Sequence, residues 1–174
     1  MILALEGTWF KHQGEPYLQY SLSLIERIYG TPYRHHRAHT LAQAEAGLDA
    51  LNPTRNWDTL YVTTHGLPGK LKFDKEYMTV NELADIMGTK FAGCAVLLSA
   101  CSVMNTDMSY FLKTTKVAGV VGYKVDVDFI VGASLDQIIL YSLQEYNSMK
   151  WWWKYMQKNF SGVLEDRMRI EFAP

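Results

Sequence analysis

Cysteine is scarce in this sequence, and its scarcity excludes several kinds of protein. The 174 residues contain only Cys94 and Cys101. Two cysteines do not make the disulfide framework of a small secreted protein, so we expect a protein of the reducing cytoplasm. Their spacing is also too wide for the Cys-x-x-Cys pair of a thioredoxin-type redox site. No Cys/His quartet with the spacing of a structural zinc site is present, so the cysteines predict no metal centre.

Neither a strong net charge nor a long apolar run is present. Lys and Arg number 17 against 18 for Asp and Glu, a formal net charge of −1 at pH 7. This balance gives no electrostatic reason to expect a nucleic acid or an acidic membrane as a partner. The longest apolar stretch, residues 129–143, is interrupted by Ser134, Asp136 and Gln137, so no membrane span is predicted. The first residues carry no basic leader before Glu6, so we expect no signal peptide.

Motifs for nucleotides, phosphate and metals are missing as well. There is no Walker loop and no Gly-x-Gly-x-x-Gly opening a helix, so no nucleotide cofactor is predicted. A cysteine phosphatase needs an arginine six residues after its nucleophile to hold phosphate, but Asp107 stands at that distance from Cys101. His35 and His36 are neighbours on a predicted strand and point to opposite faces, which disfavours a shared metal ion. We expect neither a cofactor nor a metal.

The sequence does contain a regular alternation of short β-type runs and helical stretches. Its length and its 48% hydrophobic content fit one domain, residues 1–174. The runs predict a hairpin at 70–79 and strands over residues 2–5, 33–38, 59–63, 95–100, 118–123 and 168–172. Helices are predicted over residues 17–29, 41–51, 81–87, 107–113, 129–146 and 149–160, the third capped by Asn81. This alternation favours an α/β fold with helices on both faces of a mainly parallel central sheet.

A histidine and a cysteine follow two of the central predicted strands. His65 comes after residues 59–64 and precedes Gly66, and Cys101 comes after the apolar residues 95–100. If these strands are parallel neighbours, both side chains lie at one edge of the sheet, where ligands of such folds bind. A thiol needs a nearby base to become a nucleophile at neutral pH, and a histidine supplies one. The N–H groups of Gly66 and Cys101 could then stabilise a developing oxyanion.

The residues around this pair resemble a known family. Leu-Tyr-Val-Thr-Thr-His-Gly at 60–66 and Val-Leu-Leu-Ser-Ala-Cys-Ser at 96–102 are similar to the motifs of the caspase-like (clan CD) cysteine peptidases, and the second motif looks closest to the bacterial CHAT domains. The resemblance covers roughly residues 60–146. It implies a caspase-like three-layer sandwich in which Cys101 is the nucleophile, His65 is the base or acid, and a peptide or protein is the substrate. It leaves open whether a partner or an activating cleavage must complete the site.

The same resemblance implies where the substrate pocket lies. In such enzymes the segment after the nucleophile helps to shape the pocket for the residue before the scissile bond (P1), and here it carries Asp126 and Asp128. An acidic pocket would favour arginine or lysine at P1 through charge-assisted hydrogen bonds. Asp136 and Glu6 are further candidates for the same role. The alternative is that these carboxylates are loop, solvent-facing or buried hydrogen-bonded groups.

A tryptophan-rich helix adds a candidate interaction surface. Trp151, Trp152 and Trp153 lie among lysines that recur every four residues, as in a basic amphipathic helix. We expect the tryptophans to pack on the body of the protein, and a docking or self-association surface is the alternative. For the whole chain, two hypotheses stay open: a cysteine endopeptidase, or a non-catalytic caspase-fold interaction module. Thiol reactivity separates them, because a working nucleophile alkylates quickly and a core cysteine does not.

Overall fold

A computed structural model describes residues 1–9, 17–164 and 166–173. The strands are β1 (Ile2–Glu6), β2 (Tyr33–Arg37), β3 (Thr59–Thr63), β4 (Gly66–Leu67), β5 (Lys70–Phe73), β6 (Glu76–Thr79), β7 (Ala95–Ser99), β8 (Gly119–Tyr123) and β9 (Met168–Phe172). The helices are α1 (Tyr17–Tyr29), α2 (Leu41–Ala50), α3 (Val80–Met87), α4 (Ser109–Thr115), α5 (Phe129–Gln144) and α6 (Met149–Leu164).

A six-stranded sheet in the order β2-β1-β3-β7-β8-β9 forms the centre of the fold. Its first five strands are parallel, and β9 is antiparallel to β8. Strands β1, β3, β7 and β8 are buried along their whole length, which explains why they read as nearly continuous apolar runs. Strand β2 lies at one edge of this sheet, and its polar sequence fits that position.

Helices cover both faces of this sheet, as predicted. Successive strand residues point to opposite faces of the sheet, so each strand contributes side chains to two hydrophobic cores. One core joins the sheet to α2, α3 and α4 through side chains such as Leu48, Leu83 and Phe111. The other core joins the sheet to α1, α5 and α6, and the fully buried Trp152 lies in it. A smaller antiparallel sheet, β4-β5-β6, contains the predicted hairpin and follows directly after His65.

The predicted N-cap of the third helix was wrong. The cap is Thr79 and not Asn81, because the Thr79 hydroxyl accepts the N–H of Glu82 at 3.1 Å while the Glu82 carboxylate accepts the N–H of Thr79 at 2.7 Å. This reciprocal capping box satisfies two backbone donors at once, which a single asparagine at position 81 cannot do. The fourth helix also begins later than predicted, at Ser109, whose N–H donates to the carboxylate of Asp107.

The three neighbouring tryptophans of α6 have different environments. Trp152 is fully buried and donates its indole N–H to the Ser142 hydroxyl at 2.8 Å. Trp151 is 64% exposed, and the ammonium of Lys154 lies 4.5 Å from its ring centre. The tryptophan at position 152 is therefore part of the core, so the three residues do not form a common docking face. No helix in the described ranges combines the length and the apolar character needed to cross a bilayer.

Candidate active site

The pairing of β3 with β7 places His65 and Cys101 side by side at the carboxyl edge of the sheet. Thr63 of β3 pairs with Ser99 of β7, and each candidate residue lies two positions beyond its strand's member of that pair. The Thr64 N–H extends the ladder by donating to the Ser99 carbonyl at 3.2 Å. Because adjacent strands are about 4.8 Å apart, the two backbones run close together at this level.

Gly66 packs directly against the backbone of Cys101. A Cβ added at Gly66 would lie 2.5 Å from the Cys101 carbonyl oxygen, 2.9 Å from the Cys101 nitrogen and 2.8 Å from the Ala100 Cβ. Only a residue without a Cβ can make this approach without displacing the cysteine. The glycine that the sequence offered as an oxyanion donor therefore lies beside the candidate nucleophile.

His65 is exposed, and its ring is oriented by Trp9. Its Nε2 atom lies 2.8 Å from the Trp9 carbonyl oxygen, and the indole and imidazole ring centres are 5.1 Å apart in an edge-on arrangement. A carbonyl oxygen can only accept, so Nε2 carries the hydrogen. In the neutral imidazole, Nδ1 then holds the free lone pair that a general base requires.

The half-buried Cys101 thiol contacts the loop between β8 and α5. The Val127 N–H approaches Sγ at 3.5 Å, and the thiol in turn lies 3.8 Å from the Val127 carbonyl oxygen. Ser102 holds this loop, since its hydroxyl donates to Asp126 at 2.7 Å and its N–H donates to the Val125 carbonyl at 3.1 Å. Ser102 has a φ of 56°, in the left-handed region, at the point where the chain turns away from the cysteine.

A cavity of about 150 Å³ opens beside Cys101. Its mouth carries half-buried or exposed residues, and its deep end carries residues that are almost fully buried. The apolar part of the lining comes from Trp9, Leu18, Ala100, Val127, Phe129, Gly132 and Ala133. The polar part comes from Glu6, Ser21, Tyr61, Thr63, Ser99, Tyr123, Asp128 and Asp136, together with the Cys101 thiol. Trp9 and Phe129 meet edge to face at the mouth, with ring centres 5.6 Å apart.

Asp136 lies at the deep end and is held by three hydroxyl groups. It accepts hydrogen bonds from Tyr61 at 2.6 Å, Ser99 at 2.5 Å and Tyr123 at 2.7 Å. Burial raises the pKa of the Asp136 carboxyl, and the three hydroxyl donors oppose that rise. Burial, followed by the charge of Asp136, also raises the pKa of both tyrosines, so their hydroxyls remain protonated donors.

Of the three other carboxylates predicted for the pocket, two line the cavity and one does not. Glu6 is buried at the end of β1, lines the cavity and lies 2.8 Å from the His35 Nε2 atom. Asp128 lies at the exposed mouth and caps α5 by accepting the N–H groups of residues 130 and 131. Asp126 is bound to Ser102 and is not among the described residues that line the cavity. The structure thus groups Glu6, Asp128 and Asp136 around the cavity and leaves Asp126 outside it.

Sequence reasoning missed several residues of this site. Trp9 gave no local signal, because its contact with His65 joins residues 56 positions apart. Tyr61 and Ser99 did carry a signal, since each places a hydroxyl within a fully buried strand. A buried hydroxyl needs a partner, and the obvious one was the lone carboxylate of the most apolar helix, Asp136.

The three histidines at positions 35, 36 and 39 each contact a different part of the protein. His35 pairs with Glu6, and the His39 Nδ1 atom lies 2.7 Å from the Thr8 hydroxyl. The His36 ring packs where a Cβ at Gly47 would lie, at 2.4 Å. In the part of the chain that the structure describes, no group of three or more His, Cys, Asp or Glu side chains is arranged to hold a metal ion.

The two cysteines are expected to differ sharply in reactivity. Cys94 is fully buried, and burial together with the negative charge of Asp58 raises its pKa to about 12. Only about one Cys94 thiol in 10⁴ is then ionised at pH 8, whereas Cys101 is accessible from the cavity. Iodoacetamide at pH 8 should therefore label Cys101 alone in the folded protein, as read by peptide mass spectrometry. Labelling of Cys94 at a comparable rate would contradict this assignment.

Comparison with known proteins confirms the fold. The crystal structure of caspase-1 from Spodoptera frugiperda is similar to this chain with a TM-score of 0.62 and 10% sequence identity, over 99% of this chain and 86% of that one. The predicted caspase-like α/β fold is thus correct, and at this identity the similarity concerns the fold alone. No curated protein matches the sequence. A family model does match residues 20–165, and the chain therefore belongs to the family of unknown function DUF6642.

Proposed function

We propose that the protein is a cysteine endopeptidase in which Cys101 is the nucleophile and His65 the general base. The observation that carries this proposal is the register of β3 and β7, which brings the thiol-bearing and imidazole-bearing residues to one sheet edge beside a cavity. The close approach of Gly66 to the Cys101 backbone supports the assignment of their two N–H groups as joint donors to a developing oxyanion.

Acylation begins when His65 Nδ1 takes the proton of the Cys101 thiol. The sulfur attacks the scissile carbonyl carbon, a C–S bond forms, and the carbonyl oxygen becomes an oxyanion. The N–H groups of Gly66 and Cys101 stabilise that charge. The C–N bond then breaks as the imidazolium gives its proton to the leaving amine, and a thioester remains on Cys101. The Trp9 carbonyl keeps the imidazole in the tautomer that these transfers need.

Deacylation uses the same groups on a water molecule. His65 takes a proton from water, the resulting oxygen attacks the thioester carbon, and the C–S bond breaks. The sulfur leaves as thiolate and regains its proton from the imidazolium. The Val127 N–H is directed at the Cys101 sulfur at 3.5 Å and so helps to hold the thiol in place beside the cavity.

The cavity beside Cys101 is the proposed site for the P1 side chain. Apolar walls suit methylene groups, and the carboxylates of Glu6 and Asp136 at the deep end suit a positive charge. We therefore assign the selection of a basic P1 residue to these two residues. Asp126 instead positions the loop that carries Val127, because its hydrogen bond with Ser102 fastens that loop next to the thiol.

A panel of fluorogenic peptides tests the proposal. Substrates with Lys, Arg, Asp, Leu or Ala at P1 differ only in the group that enters the cavity. We expect cleavage of the basic substrates. The other substrates should have at least about tenfold lower kcat/KM, because their P1 side chains cannot form a charge-assisted hydrogen bond with the pocket carboxylates. Cleavage mainly after aspartate would contradict the assignment of the pocket. If none of the peptides is cleaved and Cys101 also alkylates slowly, the proposed peptidase function would be contradicted.

A non-catalytic interaction module is the second candidate. It is supported by the exposed ring of Trp151 on α6 and by the aromatic pair of Trp9 and Phe129 at the cavity mouth. The rate of Cys101 alkylation separates the two candidates, because a module has no need of a reactive thiol. A fast-reacting Cys101 in a protein that cleaves none of the peptides would indicate an enzyme that requires a partner or an activating cleavage.

A further inference from the structure

We propose that a second cavity, at the other end of α5 from Cys101, binds an organic cation that carries methyl groups on its nitrogen. This aromatic cavity has a volume of about 440 Å³ and is lined by Trp57, Gln144, Glu145, Tyr146, Asn147 and Trp151. Helix α5 begins with Phe129 at the cavity beside Cys101 and ends with Gln144 at the aromatic cavity. Its 16 residues span about 24 Å, so the two sites are separate.

Aromatic side chains make up half of the lining of this cavity. Trp151 is 64% exposed, and Trp57 and Tyr146 are half-buried, so a ligand can reach all three from solvent. The face of an aromatic ring is electron-rich and attracts a cation, whereas its edge is positive. The Trp57 indole N–H, on the positive edge, donates to the Leu143 carbonyl at 3.1 Å. This edge is therefore directed into the protein.

The other features of the lining favour a positive charge as well. Glu145 is exposed and is the only charged residue among the described residues that line the aromatic cavity. It is also the C-cap of α5, and the C-terminal end of a helix carries a partial negative charge. Rings, carboxylate and helix end thus act together on a cation. A neutral or anionic ligand would not benefit from all three.

One ring of the cavity already has an ammonium group beside it. The Lys154 Nζ atom lies 4.5 Å from the centre of the Trp151 ring, within the range of a cation–π interaction. Lys154 is not among the described residues that line the aromatic cavity, so its ammonium leaves the cavity open to a ligand. The Trp151 ring is therefore placed where it can attract a second cation from the cavity side.

The lining suits a methylated ammonium better than a bare one. A bare ammonium group is strongly hydrated, and it keeps that water unless several acceptors replace it. The Gln144 amide is directed toward the sheet, where it donates to the Thr59 hydroxyl at 2.9 Å. Methyl groups in place of N–H groups need no acceptor, and they present an apolar, positively charged surface to aromatic rings. The ligand class is therefore a methylated ammonium group.

A titration with choline chloride tests this inference. The comparison compounds are 3,3-dimethylbutan-1-ol, which has carbon in place of the charged nitrogen, and ethanolamine, which lacks the methyl groups. The indole N–H signals of Trp57 and Trp151 in heteronuclear NMR spectra report binding, and equimolar sodium chloride controls for ionic strength. The fully buried Trp152, whose N–H is bound to Ser142, is the internal reference. We expect a millimolar dissociation constant for choline and at least about tenfold weaker binding of the other two.

Each outcome of the titration decides the matter. Equal binding of the neutral alcohol would show an ordinary apolar site, and equal binding of ethanolamine would show no use of the methyl groups. Either result would overturn the inference, as would choline that moves neither signal at tens of millimolar. A peptide with trimethyl-lysine, compared with the same peptide carrying lysine, identifies the source of the group. Tighter binding of that peptide than of choline assigns the site to a protein side chain, and weaker binding assigns it to a free small molecule.

Two variants test the residues of the aromatic cavity. Trp151→Leu keeps an apolar side chain without the ring, and Glu145→Gln keeps the shape without the charge. Each should weaken choline binding at least about threefold and leave the melting temperature unchanged, because both side chains are exposed. The matched control is Tyr110→Leu, which removes an exposed ring from α4 on the other face of the sheet. Wild-type choline affinity in either of the two cavity variants would overturn the inference.

Discussion

Replacing Cys101 by alanine is expected to lower kcat/KM for a P1-lysine peptide by about 10³-fold or more, since no other thiol can replace it. The protein should stay folded, because the side chain is half-buried and its hydrogen-bond contacts among the described residues are those with the Val127 backbone at 3.5 and 3.8 Å. Steady-state kinetics and a thermal melt on the same sample measure both effects. An inactive variant that has also lost its melting transition would indicate unfolding instead.

Two further variants make this result specific. His65→Ala should lower kcat/KM by about 10²–10⁴-fold, the usual contribution of a general base. Its melting temperature should barely change, because the ring is exposed. Cys94→Ala is the matched control for the loss of a thiol. Cys94 is buried in the core, so this variant should lose some stability and keep its kcat/KM. If Cys101→Ala retained activity while Cys94→Ala lost it, the assignment of the nucleophile would be wrong.

The central sheet, and the edge of it that carries His65 and Cys101, could be predicted from the sequence for a physical reason. A central parallel strand is buried on both faces, so it must be apolar throughout, and such runs are easy to recognise. The residue that follows the run then lies at the carboxyl edge, which gave the positions of His65 and Cys101. The bounds of α1 were also predicted correctly, because Gly30 and Pro32 end that helix.

The roles of the carboxylates could not be predicted, because they depend on how a helix is rotated and where a loop is fastened. Helix α5 is apolar on almost every side, so its pattern did not show which face meets the sheet. Only the packed structure turns Asp136 toward Tyr61 and Tyr123. Asp126 was a leading candidate for the pocket, but it accepts a hydrogen bond from Ser102 and is not among the described residues that line the cavity.

The contact between Trp9 and His65 could not be predicted either, because no local sequence pattern encodes it. The carbonyl that orients the imidazole is a backbone group, and any residue type at position 9 would supply it. What the sequence must provide is a chain path that returns from β1 to the end of β3. Gly7 contributes to that path: its N–H donates to the Thr63 carbonyl at 2.7 Å, and an added Cβ would lie 2.1 Å from the Thr64 hydroxyl oxygen.

A second large effect is expected from Gly66→Ala. The new methyl group would lie 2.5 Å from the Cys101 carbonyl oxygen and 2.9 Å from its nitrogen. Both are backbone atoms of the proposed nucleophile, so the strain cannot be relieved by rotating a side chain. The backbone at Cys101 must move by several tenths of an ångström, and overpacking of this kind costs about 1–3 kcal/mol of folding free energy.

The same displacement should affect catalysis more than stability. The N–H groups of Gly66 and Cys101 are the proposed oxyanion donors, and a misplacement of about 1 Å can lower a rate by about 10²-fold. We therefore expect kcat to fall by about 10²-fold, with KM much less affected, because Gly66 is not among the described residues that line the proposed P1 cavity and only Ala100 and Cys101 of the lining lie against it. The donors act on the charge that develops during the reaction, so their loss should appear in kcat.

Gly162→Ala is the matched control for this substitution. Gly162 lies in α6, and an added Cβ would meet nothing within 4 Å. Alanine is the better helix former, so this variant should melt at the wild-type temperature or slightly above it and keep its activity. Chemical denaturation and kinetics of both variants decide the question. If Gly66→Ala kept the wild-type kcat, oxyanion stabilisation would have to come from donors other than Gly66 and Cys101, and the mechanism derived from their close approach would be wrong.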